Sequence, residues 1–148
     1  MTTAQQQTTA TVVDAFFERF GAGDLPGLLD LFAERVDFRV SGSPQVPWTG
    51  ARSTRQEISE FFGIFPKVLT APQSFTLHAR LVDGSHAVVM AESAFGVLAT
   101  GKTFTNAYAL HFSVEDGQIV RYHMYEDSYA IAEAFTAVSG ERADRSRR

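Results

Sequence analysis

The last two alternating apolar segments of the chain carry the side chains best suited to proton transfer. Tyr108, Tyr122 and Glu126 lie there among Phe, Leu and Met residues. Burial among apolar side chains raises the pKa of a carboxyl group toward the range useful for a general acid or base, and phenols can donate hydrogen bonds to a carbonyl or enolate. These three residues are therefore candidate catalytic groups. The alternatives are core packing for the tyrosines and, for Glu126, a solvated strand end or a hydrogen bond from Asn106.

Several other chemistries lack their residues in this sequence. It contains no cysteine, which excludes disulfides, thiolate metal sites and cysteine nucleophiles. The four histidines show no HxH or HxxxH spacing, so we predict no metal site. There is also no nucleophile elbow, phosphate-binding glycine loop or dinucleotide fingerprint. We therefore expect no cofactor.

Length and charge restrict the possible partners. The 148 residues suit one domain over 1–148, with flexible ends over 1–10 and 140–148, and a net charge of −4 opposes binding to nucleic acid or anionic lipid. No apolar run approaches the roughly 20 residues that span a bilayer, so we expect a cytoplasmic protein with no membrane partner. The 13 phenylalanines exceed what core stability requires and favour an apolar small-molecule ligand.

Helical spacing of apolar residues dominates the first half. Two helices are predicted, with Asp24 as the N-cap of the second, and then a strand over 36–41 and an irregular loop over 42–50. A third helix has a capping-box pattern at Ser53 and Gln56 and stops at Pro66. The apolar stripes are Val13, Phe16, Phe17 and Phe20, then Leu25, Leu28, Leu29 and Phe32, then Ile58, Phe61, Phe62 and Phe65.

Alternation with a period of two replaces the helical spacing from residue 73 onward. It predicts long strands over 73–83, 85–98, 102–114 and 118–127, and a closing helix over 128–138. In the first of these strands, Phe75, Leu77, Ala79 and Leu81 are predicted to share one face. Helices followed by a long meander give an α+β fold, with helices packed on one face of a strongly curved sheet.

This order of elements, with Pro47-Trp48-Thr49-Gly50 in the loop, resembles the nuclear-transport-factor-2-like superfamily over nearly the whole chain. The nearest branches look like SnoaL-like polyketide cyclases and limonene epoxide hydrolases, on residues 100–102, 114–119 and 125–127. The resemblance implies a cone-shaped, curved antiparallel sheet packed against the N-terminal helices and enclosing an apolar pocket. It also implies a homodimer through the outer sheet face, which would carry His111 and His123.

The catalytic positions of these relatives are mostly substituted here. The resemblance aligns Ser93, Phe95 and Met124 with the positions at which limonene epoxide hydrolases have an Arg and two Asp residues. None of these three side chains can replace the residue at its position. The Asp positions of the similar ketosteroid isomerases fall on Val40 and Leu110, and their helical Tyr falls among Phe16 and Phe17. The resemblance therefore implies the fold more strongly than any one reaction.

The last hairpin permits an independent prediction of the inward face. A three-residue loop at 115–117 pairs Phe112 with Val120 and Leu110 with Tyr122, whereas a two-residue loop shifts the pairing by one. The first pairing gives the same inward face as the family resemblance. The predicted substrate-binding residues, some of which ordinary core packing would explain equally well, are Phe16, Phe38, Val40, Trp48, Phe61, Ser93, Phe95, Asn106, Leu110 and Met124.

Three functions remain open from the sequence. The first is a SnoaL-like enzyme that moves a proton in the cyclisation, isomerisation or dehydration of an apolar polycyclic or polyketide-derived molecule. The second is a non-catalytic binding or carrier protein of the same fold. The third is a structural dimer whose inward aromatic side chains serve only as core.

Overall fold

The computed structural model describes residues 2–136, which form four helices and six strands. In chain order these are α1 (Thr2–Gly21), α2 (Leu25–Leu29), β1 (Phe32–Val40), β2 (Gly50–Thr54), α3 (Arg55–Val68), β3 (Ser74–Asp83), β4 (His86–Gly96), β5 (Thr103–Glu115), β6 (Gln118–Tyr125) and α4 (Ser128–Phe135). The predicted flexible tail over 140–148 and the last residues of the predicted closing helix lie outside the described residues.

One six-stranded sheet runs in the order β2-β1-β6-β5-β4-β3 and confirms the predicted α+β fold. Its pairs are antiparallel except β1 with β6, which is parallel. The parallel β1–β6 pair departs from the antiparallel sheet that the family resemblance implied. The long connection through β2, α3 and the β3–β5 meander allows the chain to return beside β1 in the parallel sense.

Helix α1 starts earlier than the polar composition of the first ten residues suggests. Thr9 is fully buried, and its hydroxyl donates a hydrogen bond of 2.9 Å to the carbonyl of Gly84. Gln5 similarly donates to the carbonyl of Val114 over 3.3 Å. These polar side chains attach the helix to the ends of strands, so residues 2–10 are part of α1, and the flexibility expected over 1–10 stays a prediction.

The segment around β2 differs most from the sequence prediction. Five residues that the sequence leaves in a loop or in the helix cap pair with β1 as strand β2. The capping box of α3 is consequently formed by Thr54 and Glu57, one residue later than predicted. Asp24 caps α2 as predicted, but α2 ends at Leu29 because Phe32 already belongs to β1.

The β5–β6 hairpin corrects the predicted pairing while keeping the predicted faces. Its turn has two residues, Asp116 and Gly117, both with positive φ, and a bulge follows between Ser113 and Val114. Each feature shifts the register by one, so Phe112 pairs with Tyr122 and not with Val120. Because two single shifts restore the original parity, the inward set on both strands is preserved.

An aromatic cluster fills the space between the helices and the inner sheet face. The Tyr122 ring stacks on Phe38 at 4.4 Å between centroids, and Phe61 meets Phe38 edge to face at 4.9 Å. Phe16 packs against Phe112 at 5.2 Å from the helix side. Edge-to-face and stacked pairs of this kind add to the hydrophobic stabilisation of a core.

Candidate functional site

Glu126 directly follows β6, where the chain leaves the sheet for α4. Its Oε2 accepts a hydrogen bond of 3.0 Å from the indole Nε1 of Trp48, and its Oε1 accepts one of 3.0 Å from Nδ2 of Asn106. Both donors are neutral, so the carboxylate is held in place without an ion pair. The hydrogen bond from Asn106, which the sequence offered as an alternative to a catalytic role for Glu126, is present.

The environment of Glu126 makes it a weaker acid than an ordinary glutamate. Burial raises the pKa of Glu126 to about 7, and the hydrogen bonds from Trp48 and Asn106 offset only part of this effect because they favour the charged form. Near neutral pH the carboxyl group therefore exists in both protonation states. A group in this condition can accept a proton from one atom and return it to another.

The side chain of Asn106 has a fixed orientation. Its Oδ1 accepts a hydrogen bond of 3.0 Å from the backbone N–H of Asp127. Because a backbone N–H can only donate, the amide oxygen must face Asp127 and the NH₂ group must face Glu126. Asp127 itself caps α4, since its side chain accepts a hydrogen bond of 3.2 Å from the Ala130 N–H.

Trp48 reaches Glu126 from the irregular loop between β1 and β2. Its indole is almost fully buried between Phe65 of α3, at 5.1 Å, and Phe135 of α4, at 5.4 Å. Arg52 donates a hydrogen bond of 2.9 Å to the Trp48 carbonyl and holds the loop from the other side. The loop, α3 and α4 thus jointly position one of the two donors to Glu126.

Tyr108 lies two residues after Asn106 on β5, on the same face of the strand, and is partly exposed. Its hydroxyl is 3.5 Å from Ser93 Oγ, the upper limit for a hydrogen bond. Burial raises the pKa of Tyr108, and the negative charge of Glu126 adds to that rise. The phenol therefore stays protonated at neutral pH and is available as a hydrogen-bond donor.

The other predicted site residues divide into two groups. Phe16, Phe38, Val40, Phe61, Leu110 and Tyr122 face inward as predicted, but all are at most 3% exposed and belong to the packed core. Burial raises the pKa of Tyr122 well above its usual value, so this phenol stays neutral. Phe95 and Met124, by contrast, are only partly buried and pack against the edge of this core.

Sequence reasoning missed four residues that shape the site. Phe65, Phe104 and Phe135 surround Trp48, and Arg52 anchors its backbone. Phe104 has the same strand parity as Asn106 and Tyr108, so alternation alone could have included it. Arg52 had no comparable signal, because strand β2 was not predicted.

A solvent-exposed groove of about 540 Å³ lies on the loop that carries Trp48, and its lining includes Arg39, Gly42, Pro44 and Thr49. Neither Glu126 nor Tyr108 lines it. Over residues 2–136, no group of three or more His, Asp or Glu side chains is arranged to hold a metal ion. Across the same residues, no helix is both long and apolar enough to cross a membrane.

A curved six-stranded sheet wrapped around an aromatic core, with helices on its inner face, defines the nuclear-transport-factor-2-like class of α+β proteins. Within that class, the chain belongs to the family of the SnoaL-like domain, whose sequence profile matches residues 13–122. No curated protein sequence matches the chain.

Solved structures agree with this fold. An NTF2-like protein of unknown function from Burkholderia pseudomallei K96243 is 20% identical, with a TM-score of 0.80 over 88% of this chain and 98% of that one. TerC, co-crystallised with polyporic acid, is 21% identical, with a TM-score of 0.73 over 86% and 98% of the two chains. An LEH-like epoxide hydrolase from M. tuberculosis is 13% identical, with a TM-score of 0.68 over 88% and 90%. At these identities the likeness shows the fold alone.

Proposed function

We propose that this protein is an enzyme that transfers a proton within an apolar, polycyclic or polyketide-derived small molecule, in a cyclisation, isomerisation or dehydration step. The observation that carries the proposal is Glu126, a partly buried carboxyl group with a pKa raised to about 7 and hydrogen bonds from neutral donors. Burying a carboxyl group costs stability, and carboxyl groups with strongly perturbed pKa values cluster at functional sites.

The proposed step begins with Glu126 as a general base. Its carboxylate removes a proton from a carbon next to a ligand carbonyl, and the C–H electron pair moves into the enolate. The Tyr108 hydroxyl donates a hydrogen bond to the enolate oxygen, where negative charge develops. Glu126 then returns the proton to a different atom of the same molecule, so that no cofactor or co-reactant is consumed.

Binding without turnover is the second candidate function. The positions at which related enzymes of this fold carry acidic or basic groups hold Ser93, Phe95 and Met124 in this chain. Glu126 and Tyr108 would in that case fix the orientation of a ligand through hydrogen bonds. TerC, which shares the fold, was crystallised with the small molecule polyporic acid, and this supports a small-molecule ligand under either proposal.

One titration separates the two candidates. Trp48 is the single tryptophan and touches Glu126, so its fluorescence reports binding of polycyclic ketones and quinones, and mass spectrometry of the same samples reports turnover. Saturable quenching with product formation is the expected result, and quenching without product supports the carrier. The variants Glu126→Gln and Tyr108→Phe should abolish or strongly reduce turnover, with Tyr125→Phe on the exposed outer face as the matched control. Full activity in both site variants would contradict the mechanism.

A further inference from the structure

Strand β3 forms one edge of the sheet and exposes large apolar side chains. Phe75 is 51% exposed and Leu77 is 42% exposed. They pair across the sheet with Ser93 and Ala91, both of which face the interior. The ring of Phe75 also lies 6.3 Å from Phe17 of α1, so this end of β3 faces the helices.

A bulge divides β3 into two halves that face opposite ways. The pairing register with β4 shifts between Leu77 and Ala79, and this leaves Leu81 opposite Val88 on the outer face. The sequence predicted that Leu77 and Leu81 share a face, and the bulge overturns that prediction. Leu81 is 63% exposed and therefore provides an internal comparison for Leu77, with the same side chain on the same strand but on the other face.

The exposed end of β3 is continuous with the candidate site. Phe75 pairs with Ser93, Ser93 pairs with Asn106, and Asn106 donates a hydrogen bond to Glu126. A second row leads from Leu77 through Ala91 to Tyr108. Three strand spacings of about 4.8 Å separate β3 from β6, so the edge strand lies roughly 14 Å from the strand that Glu126 follows.

Large and small side chains alternate along these two rows. The residues contributed by β4, Ala91 and Ser93, are small, whereas those on either side of them are larger. A partly exposed phenol and a buried amide lie toward Glu126, and exposed Phe75 and Leu77 lie toward the edge. On the helix side, Phe20 is 45% exposed and packs against Phe16 and Phe62.

We propose that Phe75 and Leu77 form an entrance rim that binds the apolar part of an elongated ligand whose polar end lies at Glu126 and Tyr108. This inference rests on the proposed function and specifies its substrate class as a neutral molecule with one carbonyl end and one extended apolar end. A ligand with a carboxylate or phosphate at its polar end is disfavoured, because the carboxylate of Glu126 repels a second negative charge. The two donors to Glu126, Trp48 and Asn106, are neutral and do not offset this repulsion. The exposed apolar side chains at the rim favour a ligand whose other end is apolar.

The test uses phenyl alkyl ketones with acyl chains of two to eight carbons as probes. Dissociation constants come from Trp48 fluorescence, and proton transfer comes from deuterium uptake at the α-carbon in D₂O. In the unchanged protein, each added methylene should tighten binding about two- to fourfold. In the double variant Phe75→Thr, Leu77→Thr the gain from the last methylenes of the longest acyl chains should fall to near zero, while binding of the two-carbon ketone stays within about twofold. Leu81→Thr should keep the full chain-length gain.

Threonine favours strand structure, so the exposed substitutions are compatible with folding, and Leu77→Thr alone provides a second, milder variant.

The rim proposal is overturned if the double variant or Leu77→Thr retains the chain-length gain, if Leu81→Thr loses it, or if no ketone of the series binds. It is also overturned if sedimentation shows a dimer that the double variant Phe75→Thr, Leu77→Thr converts to a monomer. If the chain-length gain depends on the rim but Glu126→Gln exchanges deuterium at the normal rate, the rim stands and the proposed proton transfer fails.

Discussion

Two carboxylates on opposite faces of the sheet have opposite acidities. On the outer face, Asp37 Oδ1 lies 2.8 Å from Nε2 of His123, a close contact without good hydrogen-bond geometry, and Oδ2 lies 3.4 Å from Nε of Arg121. Interaction with His123 is the largest cause that lowers the pKa of Asp37. Near the inner face, burial raises the pKa of Glu126 to about 7. Contacts with His123 and Arg121 favour the charged form of the outer carboxyl group, whereas burial beside neutral donors leaves the inner group able to exchange protons.

The largest difference should appear in turnover. Glu126→Gln removes the proton acceptor of the proposed reaction and should lower kcat by about 10²- to 10⁴-fold, the usual contribution of a general acid or base. Asp37→Asn, the equivalent change on the outer face, should leave kcat within about twofold. The measurement is deuterium exchange or product formation under saturating ligand. Equal losses in both variants would indicate that the sheet as a whole, and not the inner carboxyl group, supports activity.

The pH dependence of stability should also differ between the two groups. The folded-state pKa of Glu126 lies above its unfolded value, so its contribution to the free energy of unfolding is complete below about pH 4.5 and is lost as pH rises through 7. A rise from 4.5 to about 7 corresponds to at most about 3 kcal/mol. Asp37 has a lowered pKa, so its smaller, solvent-screened contribution is lost on acidification.

Urea unfolding of Glu126→Gln and the unchanged protein between pH 5 and 8 measures the first of these contributions. The difference in unfolding free energy between the two proteins should change in favour of the variant as pH rises. Asp37→Asn serves as the control and should not reproduce this trend. A constant difference over the whole range would mean that Glu126 titrates with an ordinary pKa.

The neutral donors to Glu126 should set the position of its pKa. Trp48→Phe removes the indole N–H and retains an aromatic ring, so the charged carboxylate loses one hydrogen bond. Hydrogen bonds to charged groups contribute about 1.5–3 kcal/mol, and the pKa of Glu126 should therefore rise by about 1–2 units. Carbon-13 NMR of the glutamate carboxyl groups measures this rise directly. Phe65→Leu, which alters a ring that packs on Trp48 without removing a donor, should leave the pKa nearly unchanged.

The sequence allowed the inward face to be predicted but not the contacts within it. Alternation along β5 and β6 correctly placed Asn106, Tyr108 and Glu126 on one side, although the predicted pairing of the strands was wrong by two residues. Parity survived because a tight turn and a bulge each contributed a shift of one. Periodicity reports the face of a strand, whereas register depends on local turn geometry.

Contacts from irregular segments could not be predicted in this way. The loop over 42–49 has no period, and the bond from Trp48 to Glu126 exists because α3 and α4 enclose the indole. The reversal of Leu81 on β3 likewise depends on one bulge, for which the alternating sequence gives no signal. Tertiary packing decides both features, and it is unavailable to an argument from spacing alone.

The smallest predicted effect belongs to the outer-face histidines. His111 Nε2 lies 3.0 Å from Nδ1 of His86, and its ring meets that of His123 at 6.4 Å. Burial, followed by repulsion from His86, Arg121 and His123, lowers the pKa of His111. The unfolded chain therefore takes up this proton more readily than the folded protein, and stability falls as pH drops below about 6.5.

His111→Gln should reduce this acid sensitivity by less than about 1 kcal/mol, since the outer face is solvated. The measurement is the difference between urea midpoints at pH 7 and pH 5, with His78→Gln as the control because His78 pairs separately with Glu92 at 3.2 Å. Asp37 is the carboxylate that faces this histidine group from β1, and its negative charge limits the expected effect. Sedimentation at both pH values separates an effect on folding from one on the homodimer proposed for this face. The prediction is contradicted if the urea midpoint falls more between pH 7 and pH 5 in His111→Gln than in the unchanged protein. Attraction between Asp37 and the protonated histidine would then outweigh the repulsion among the histidines. In that case protonation would stabilise the outer face, as it does the inner carboxyl group.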